Sequence, residues 1–195
     1  MAQVEQRIEA AGSDDREIVE RARQDGRAFE TLYRRHFKMV SNYVYRRIGD
    51  AHAAEDVVSD VFIAALRTLH RYEDRGIPIR FWLLRIATNA IHRRLRSEKW
   101  WATLRPVATH ECVDEGPRPS DAIQEEETGR ARAALRGLPA NAQAVLSLHY
   151  IEGLSIDEVA LVLGWRTGSV KSRLSRAREA LRSRLERQDA EEERR

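Results

Sequence analysis

Lys171, Ser172, Ser175 and Arg176 stand close together in the stretch "SVKSRLSRAR", which runs from Ser169 to Arg178. On a helix, residues three and four apart share a face, so this spacing gathers two cations and two hydroxyls on one side. Long cations pair with guanine acceptors in a major groove and a serine hydroxyl fits several base edges, which is the chemistry of duplex reading. Val170, Leu174, Ala177, Leu181 and Leu185 keep a second rhythm, an apolar stripe that docks the other side on a core. Arg173, Arg178 and Arg184 flank that stripe, where long stems snorkel toward phosphates, and Arg182 extends the polar face.

A charged helix by itself is equally well explained as a solvated surface laced with i,i+4 pairs. The residues upstream decide between the two. Ser155 and Glu158 fit the S-x-x-E capping box and Leu154 and Val159 occupy the staple positions, so a helix begins at Ile156. Gly164 is placed to stop it, Trp165 reads as a core plug in the turn, and the next helix starts near Gly168. Two helices about a short turn make a helix-turn-helix, whose second helix enters the groove.

The elements that must carry this helix follow from composition and periodicity. The 195 residues and 42% hydrophobic content suffice for one domain or for two of roughly 60 to 80 residues. Lys+Arg 34 against Asp+Glu 31 leaves a formal charge of only +3, but the charge is segregated. Bases gather at 80–105 and 166–187, acids at 14–20, 55–60, 111–127 and 191–193, which reads as two cationic surfaces with an acidic spacer between them. The single cysteine, Cys112, excludes an internal disulfide and suits a reducing compartment, and His110 with Cys112 lacks the further ligands of a metal site. No cofactor is expected. The N-terminus has no leader pattern and no apolar run approaches the ~20 residues that span a bilayer, so a cytoplasmic protein is expected.

Steps of three and four lay Ile18, Val19, Ala22, Phe29, Leu32, Tyr33, His36, Phe37, Val40 and Val44 on one helical stripe, broken at Gly49 and Asp50. A second stripe, Ala54, Val58, Val61, Phe62, Ala65 and Leu69, is followed by the breakers Gly76 and Pro78 and then by "FWLLRIATNAI". Leu66 joins the apolar side of Val58 and Phe62, and Phe81 and Trp82 read as core. Between 108 and 128 the chain is acidic and poor in large apolar side chains, a linker that cannot offset the entropy of ordering. The expected fold is therefore all-α, two small helical domains joined by a flexible acidic linker.

The stretch "LPANAQAVLSLHYIEGLSIDEVALVLGWRTGSVKSRLSRAREALR" resembles region 4 of the extracytoplasmic-function (ECF) sigma factors of bacterial RNA polymerase. "FETLYRRHF", "GDAHAAEDVVSDVFIAALRTLHRYE" and "FWLLRIATNAIHRRLR" are similar to their region 2, in the same order. The resemblance implies a flexible N-terminus at 1–13, region 2 at 14–101, an acidic linker at 102–127, region 4 at 128–187 and a charged tail at 188–195. It implies binding to the clamp and flap of core RNA polymerase and to promoter DNA, and makes an anti-sigma factor a candidate partner. Carried over residue by residue, Glu55, Asp56, Ser59 and Asp60 would face the polymerase clamp, although the family commonly has Gln and Glu where Ser59 and Asp60 stand.

Tyr72, Arg80, Arg85, Asn89, Arg93 and Arg94 would read the −10 element, where unstacked bases need aromatic faces, amides and cations. The "EDRGIPIR" loop would cup a flipped base, and Trp100 and Trp101 would anchor the end of the domain. Lys171, Ser172, Ser175 and Arg176, with Ser169, would meet −35 bases, and Arg166, Arg173 and Arg178 the backbone. Arg166 stands where the family often has Ser or Pro, which makes Thr167 an alternative cap. Asp114, Glu115, Asp121 and Glu125 to Glu127 would mimic a phosphate chain inside the polymerase. Two rivals are weighed. A dimeric helix-turn-helix regulator needs an apolar seam for which no spare stripe exists. Catalysis by Glu55, Asp56 and Asp60 needs a pocket, which carboxylates on one outer helix face do not supply.

Overall fold

Polar punctuation sets the helix boundaries. The computed structural model describes residues 15–73, 77–104 and 122–192, with side chains over 15–73, 77–97 and 129–190. Residues 15–24 form α1, after which the Asp25 carboxylate accepts from the Arg27 amide and turns the chain through a short 3₁₀ segment, Gly26–Ala28. Helix α2 spans Phe29–Tyr45, and Asp50 caps α3, Ala51–Thr68, by accepting from the Ala53 amide at 2.7 Å. Helix α4 is Ile79–Leu104, the long element that closes the first bundle.

The periodicity expected of this half holds where the side chains are buried. Leu32, Val40 and Val44 of α2, Val61 and Ala65 of α3, and Leu83, Ala87 and Ile91 of α4 have no exposed surface. Two readings are corrected. The first stripe is not one helix, because the Asp25 turn separates α1 from α2. Tyr33, Phe37 and Leu66, read as core-facing, are 37%, 40% and 48% exposed, since each lies at the edge of its stripe, where the neighbouring helix covers only part of the side chain. Phe81 is in the core as expected, whereas Trp82 is only half-buried.

The second half begins with α5, Ala122–Arg136, so helix starts inside the stretch read as linker. Helix α6, Ala140–Leu146, widens into a π turn over Ser147–Ile151, and α7, Ile156–Leu163, and α8, Thr167–Glu192, complete the helix-turn-helix. Both arms of the capping box are present: the Ser155 amide donates to Glu158 at 2.7 Å and the Glu158 amide to the Ser155 hydroxyl at 3.2 Å. Gly164 ends α7 in the left-handed region, φ 68°, where a Cβ would be strained. Val145, Leu148, Val159, Val162 and Val170 fill the core beneath it. The buried residues of the two halves join in one continuous apolar cluster.

Candidate nucleic-acid interface

Helix α8 presents the arrangement its sequence announces. Val170, Leu174 and Ala177 are buried against α6 and α7, and Leu181 and Leu185 are half-buried further along. Lys171, Ser172, Ser175, Arg176 and Arg182 are exposed together on the other side. The Ser172 hydroxyl donates to the Ser169 carbonyl at 3.2 Å and Arg176 to the Ser172 carbonyl at 3.3 Å, so the face is ordered by its own backbone while its charges stay in solvent. Arg173 lies over the Trp165 ring at 4.6 Å, a cation–π contact that steadies both at the turn. Arg166 and Arg178 are exposed beside them.

Two expectations for this half are corrected. Arg184, read as reaching for phosphates, lies instead across Gly137, where a side chain would collide with its guanidinium. Thr167 does not cap α8, because it is the first residue of the helix and its hydroxyl donates to the Asp157 carboxylate at 2.9 Å, tying α8 to α7.

The residues of the candidate −10 face are divided. Asn89, Arg93 and Arg94 are exposed along α4. Tyr72 is buried, donates to the Ile77 carbonyl at 2.6 Å and packs on Trp82 with ring centroids 5.4 Å apart. Both rings line a cavity of about 240 Å³ together with Phe81, Ile77 and Arg85. Leu161, from α7, lines it as well. Arg80 lies 3.6 Å from the Glu158 carboxylate and over the Phe81 ring at 4.7 Å. Arg85 donates to the carbonyls of Val162, at 3.0 Å, and Leu161. Of the loop "EDRGIPIR", 74–76 lie outside the described residues, as do His110, Cys112, Asp114, Glu115 and Asp121 and the side chains of Trp100, Trp101 and Glu125 to Glu127.

On α3, Glu55, Asp56, Ser59 and Asp60 are exposed on one outer face. The Tyr45 hydroxyl donates to Glu55 at 3.3 Å; burial, then the Glu55 charge and this bond, raise the tyrosine above its ordinary range. Beside the acids lie the exposed side chains of Ile63 and Leu66 and the aromatic group Tyr33, Phe37 and Phe62, with Tyr33 edge-on to Phe62 at 4.7 Å. An acidic, apolar and aromatic surface of this kind fits a basic protein partner better than nucleic acid. Among the described residues, no group of three or more His, Cys, Asp or Glu could hold a metal, and no helix is long and apolar enough to cross a membrane.

The residues missed by sequence reasoning join the two halves. Arg47 is 1% exposed. It donates to the Tyr43 hydroxyl at 2.9 Å and to the Ala140 carbonyl at 3.1 Å. Since the Thr88 hydroxyl donates to the Leu84 carbonyl at 2.8 Å, the Tyr43 hydroxyl gives its own proton to Thr88, at 2.8 Å. His92 meets the same Ala140 carbonyl at 3.3 Å; burial first, then the charge of Arg47, push its imidazole below the ordinary histidine range. Arg46 pairs with Glu152 at 3.3 Å, and burial raises that carboxyl despite the guanidinium. One signal was available: Val40, Tyr43, Val44 and Arg47 continue a three-four spacing that points Arg47 inward.

Two cationic helices, one free and one tied, now have a class to belong to. Residues 32–101 match the family model for sigma-70 region 2 and residues 128–181 that for sigma-70 region 4. The chain is 33% identical over 150 residues to the ECF RNA polymerase sigma factor SigW of Bacillus subtilis, covering 72% of this chain and 80% of that protein. It is 32% identical over 176 residues to BldN of Streptomyces coelicolor, covering 86% of this chain. It spans 66% of BldN and 64% of SigE of Mycolicibacterium smegmatis, slightly under two thirds of each. The solved structure of CnrH in complex with the cytosolic domain of CnrY superposes with a TM-score of 0.63 at 28% identity, covering 88% of this chain and 97% of CnrH. The chain belongs to the ECF RNA polymerase sigma factors.

Proposed function

We propose that the chain is a promoter-specificity subunit that binds core RNA polymerase and directs initiation without catalysis of its own. The observation that carries this reading is the exposed face of Lys171, Ser172, Ser175 and Arg176 on a capped helix-turn-helix, in a chain whose halves match regions 2 and 4 in order. Helix α8 enters the major groove of the −35 element, where Lys171 and Arg176 meet base edges with Ser169, Ser172 and Ser175, while Arg166, Arg173 and Arg178 hold phosphates. Tyr72, Arg80, Arg85, Asn89, Arg93 and Arg94 take the unstacked −10 strand. Glu55, Asp56, Ser59 and Asp60 offer charge to the clamp, with Ile63 and Leu66 adding apolar area beside them.

Two small domains on one tether hold two DNA elements in register only when a third body sets their separation, so core polymerase binds first. An anti-sigma protein is proposed as a further partner, on the ground that the related CnrH is found in complex with the cytosolic domain of CnrY. Transcription reconstituted with core polymerase on a genomic promoter library tests the reading. The expected result is initiation confined to a set of sites sharing −35 and −10 sequences, and initiation no different from core alone would overturn it.

A further inference from the structure

Helix α1, residues 15–24, precedes the stretch that matches region 2, and none of the proposed DNA or polymerase contacts lies on it. It is anchored on the bundle at both ends. Val19 and Ala22 are buried in the core, and at the start of the helix the Asp15 carboxylate, 5% exposed, lies 3.0 Å from Nε of Arg35 on α2. Near the other end Arg23 donates from Nε to the Leu69 carbonyl at 3.4 Å and from a terminal nitrogen to the Tyr72 carbonyl, while its remaining terminal nitrogen pairs with Glu20 at 2.6 Å. The two carbonyls bracket the 3₁₀ turn Leu69–Arg71 that follows α3. The Leu69 carbonyl already accepts from the Tyr72 amide at 3.0 Å, so Arg23 takes its second lone pair. A planar guanidinium with its donors in fixed directions holds two carbonyls at once, which the single ammonium of a lysine does not do with the same rigidity.

What this fork holds is the main chain that carries Tyr72. The Tyr72 ring is buried, packs on Trp82 and lines the cavity with Phe81 and Arg85, and its hydroxyl is spent on the Ile77 carbonyl. Ring and hydroxyl are thus fixed from the side of α4 and the backbone from the side of α1. An aromatic face set in advance binds a base at lower cost, since freedom left to the side chain is lost on binding. We propose that Arg23 is a positioning residue for −10 recognition, acting through the main chain at Tyr72, with α1 as the strut that carries it. The proposal rests on the assignment of Tyr72 to the −10 strand. Arg23 has no need to touch DNA, because its guanidinium is taken up by two carbonyls and a carboxylate. Its loss falls on this one turn, because Val19 and Ala22 hold α1 on the core without it.

The test uses the full chain assembled with core polymerase and a promoter found in the library. Discrimination of the −10 element is the ratio of affinities for fluorescein-labelled single strands of matched and scrambled sequence, and −35 discrimination is the same ratio for duplexes. Arg23→Gln loses the fork and is expected to lower −10 discrimination by about tenfold, the scale of a lost hydrogen bond from a charged group, with −35 discrimination unchanged. Arg23→Lys keeps the charge and should show a smaller loss of the same kind, so the test does not hang on Arg23→Gln folding. Arg21→Gln removes an equal charge two residues away, where the arginine is exposed and pairs with Glu17, and should change neither ratio. Tyr72→Leu keeps apolar volume without the aromatic face, and Arg23→Gln should add nothing to its loss, since a residue that acts through Tyr72 has no effect in its absence. Unchanged −10 discrimination in both Arg23 variants, an equal loss in Arg21→Gln, equal losses on both elements, or additive losses in the double variant would each overturn the positioning role. Wild-type −10 discrimination that is absent, or that survives Tyr72→Leu, sinks the assignment of Tyr72 instead.

Discussion

Helices α4 and α8 carry nearly the same chemistry and meet opposite fates. Each is a long helix of 26 residues rich in arginine. On α8 the apolar stripe is consumed by α6 and α7 while the cations face water. On α4 two of the cations are consumed as well, one by a carboxylate and one by helix-end carbonyls. The comparison teaches that a basic face stays open to solvent only where no internal acceptor reaches it. Arginine makes the difference possible, because its planar fork bonds carbonyls as readily as phosphates.

The comparison is broken most severely by removing the support of the free face. Leu148 is fully buried beneath the helix-turn-helix, and Leu148→Ala should cost about 2–5 kcal/mol in denaturant unfolding. Next come the faces themselves. Lys171→Ala or Arg176→Ala should reduce discrimination of the −35 sequence by about 1–3 kcal/mol, measured as binding of matched against scrambled duplex by holoenzyme. Asn89→Ala, on the α4 face, should leave that discrimination intact and instead slow promoter opening; equal effects on both readouts would erase the division drawn between the helices.

A smaller effect comes from the cap of α7. Ser155→Ala removes one arm of the capping box and should cost about 1 kcal/mol, loosening α7 from Arg80 as well as from its own first turn. The smallest is a dependence on pH. His92, facing Arg47 and Arg96, is held below its ordinary value in the folded chain, by burial first and then by those charges. Its contribution is therefore complete above about pH 6.5, the ordinary histidine value, and is lost as pH falls from there toward the lower folded value. Glu152, facing Arg46, acts in the opposite sense, since a raised carboxyl favours the folded chain as it takes up its proton. The midpoint of denaturant unfolding should thus fall on acidification just below pH 6.5 in wild type and fall less in His92→Gln.

Much of this is legible in the sequence alone, for reasons specific to each element. The α8 face could be read because burial by period is local: Val170, Leu174 and Ala177 select the docked side, and whatever lies opposite is exposed. The α7 boundaries could be read because Ser155, Glu158 and Gly164 act within a turn of themselves. Tyr33 and Phe37 could not be placed, since residues at the edge of a stripe are buried or exposed according to how far the next helix extends.

The sequence by itself determined the all-α class, the ends of α7, the apolar and polar sides of α8 and the membership of the family, all of which rest on contacts within a few residues or on motif order. Only the tertiary structure decided which cations are free. Arg85 and Arg47 take backbone carbonyls of Leu161, Val162 and Ala140, far along the chain. Every residue carries a carbonyl, so such a partner leaves no mark in residue type, and its place is known only once the helices have been packed together.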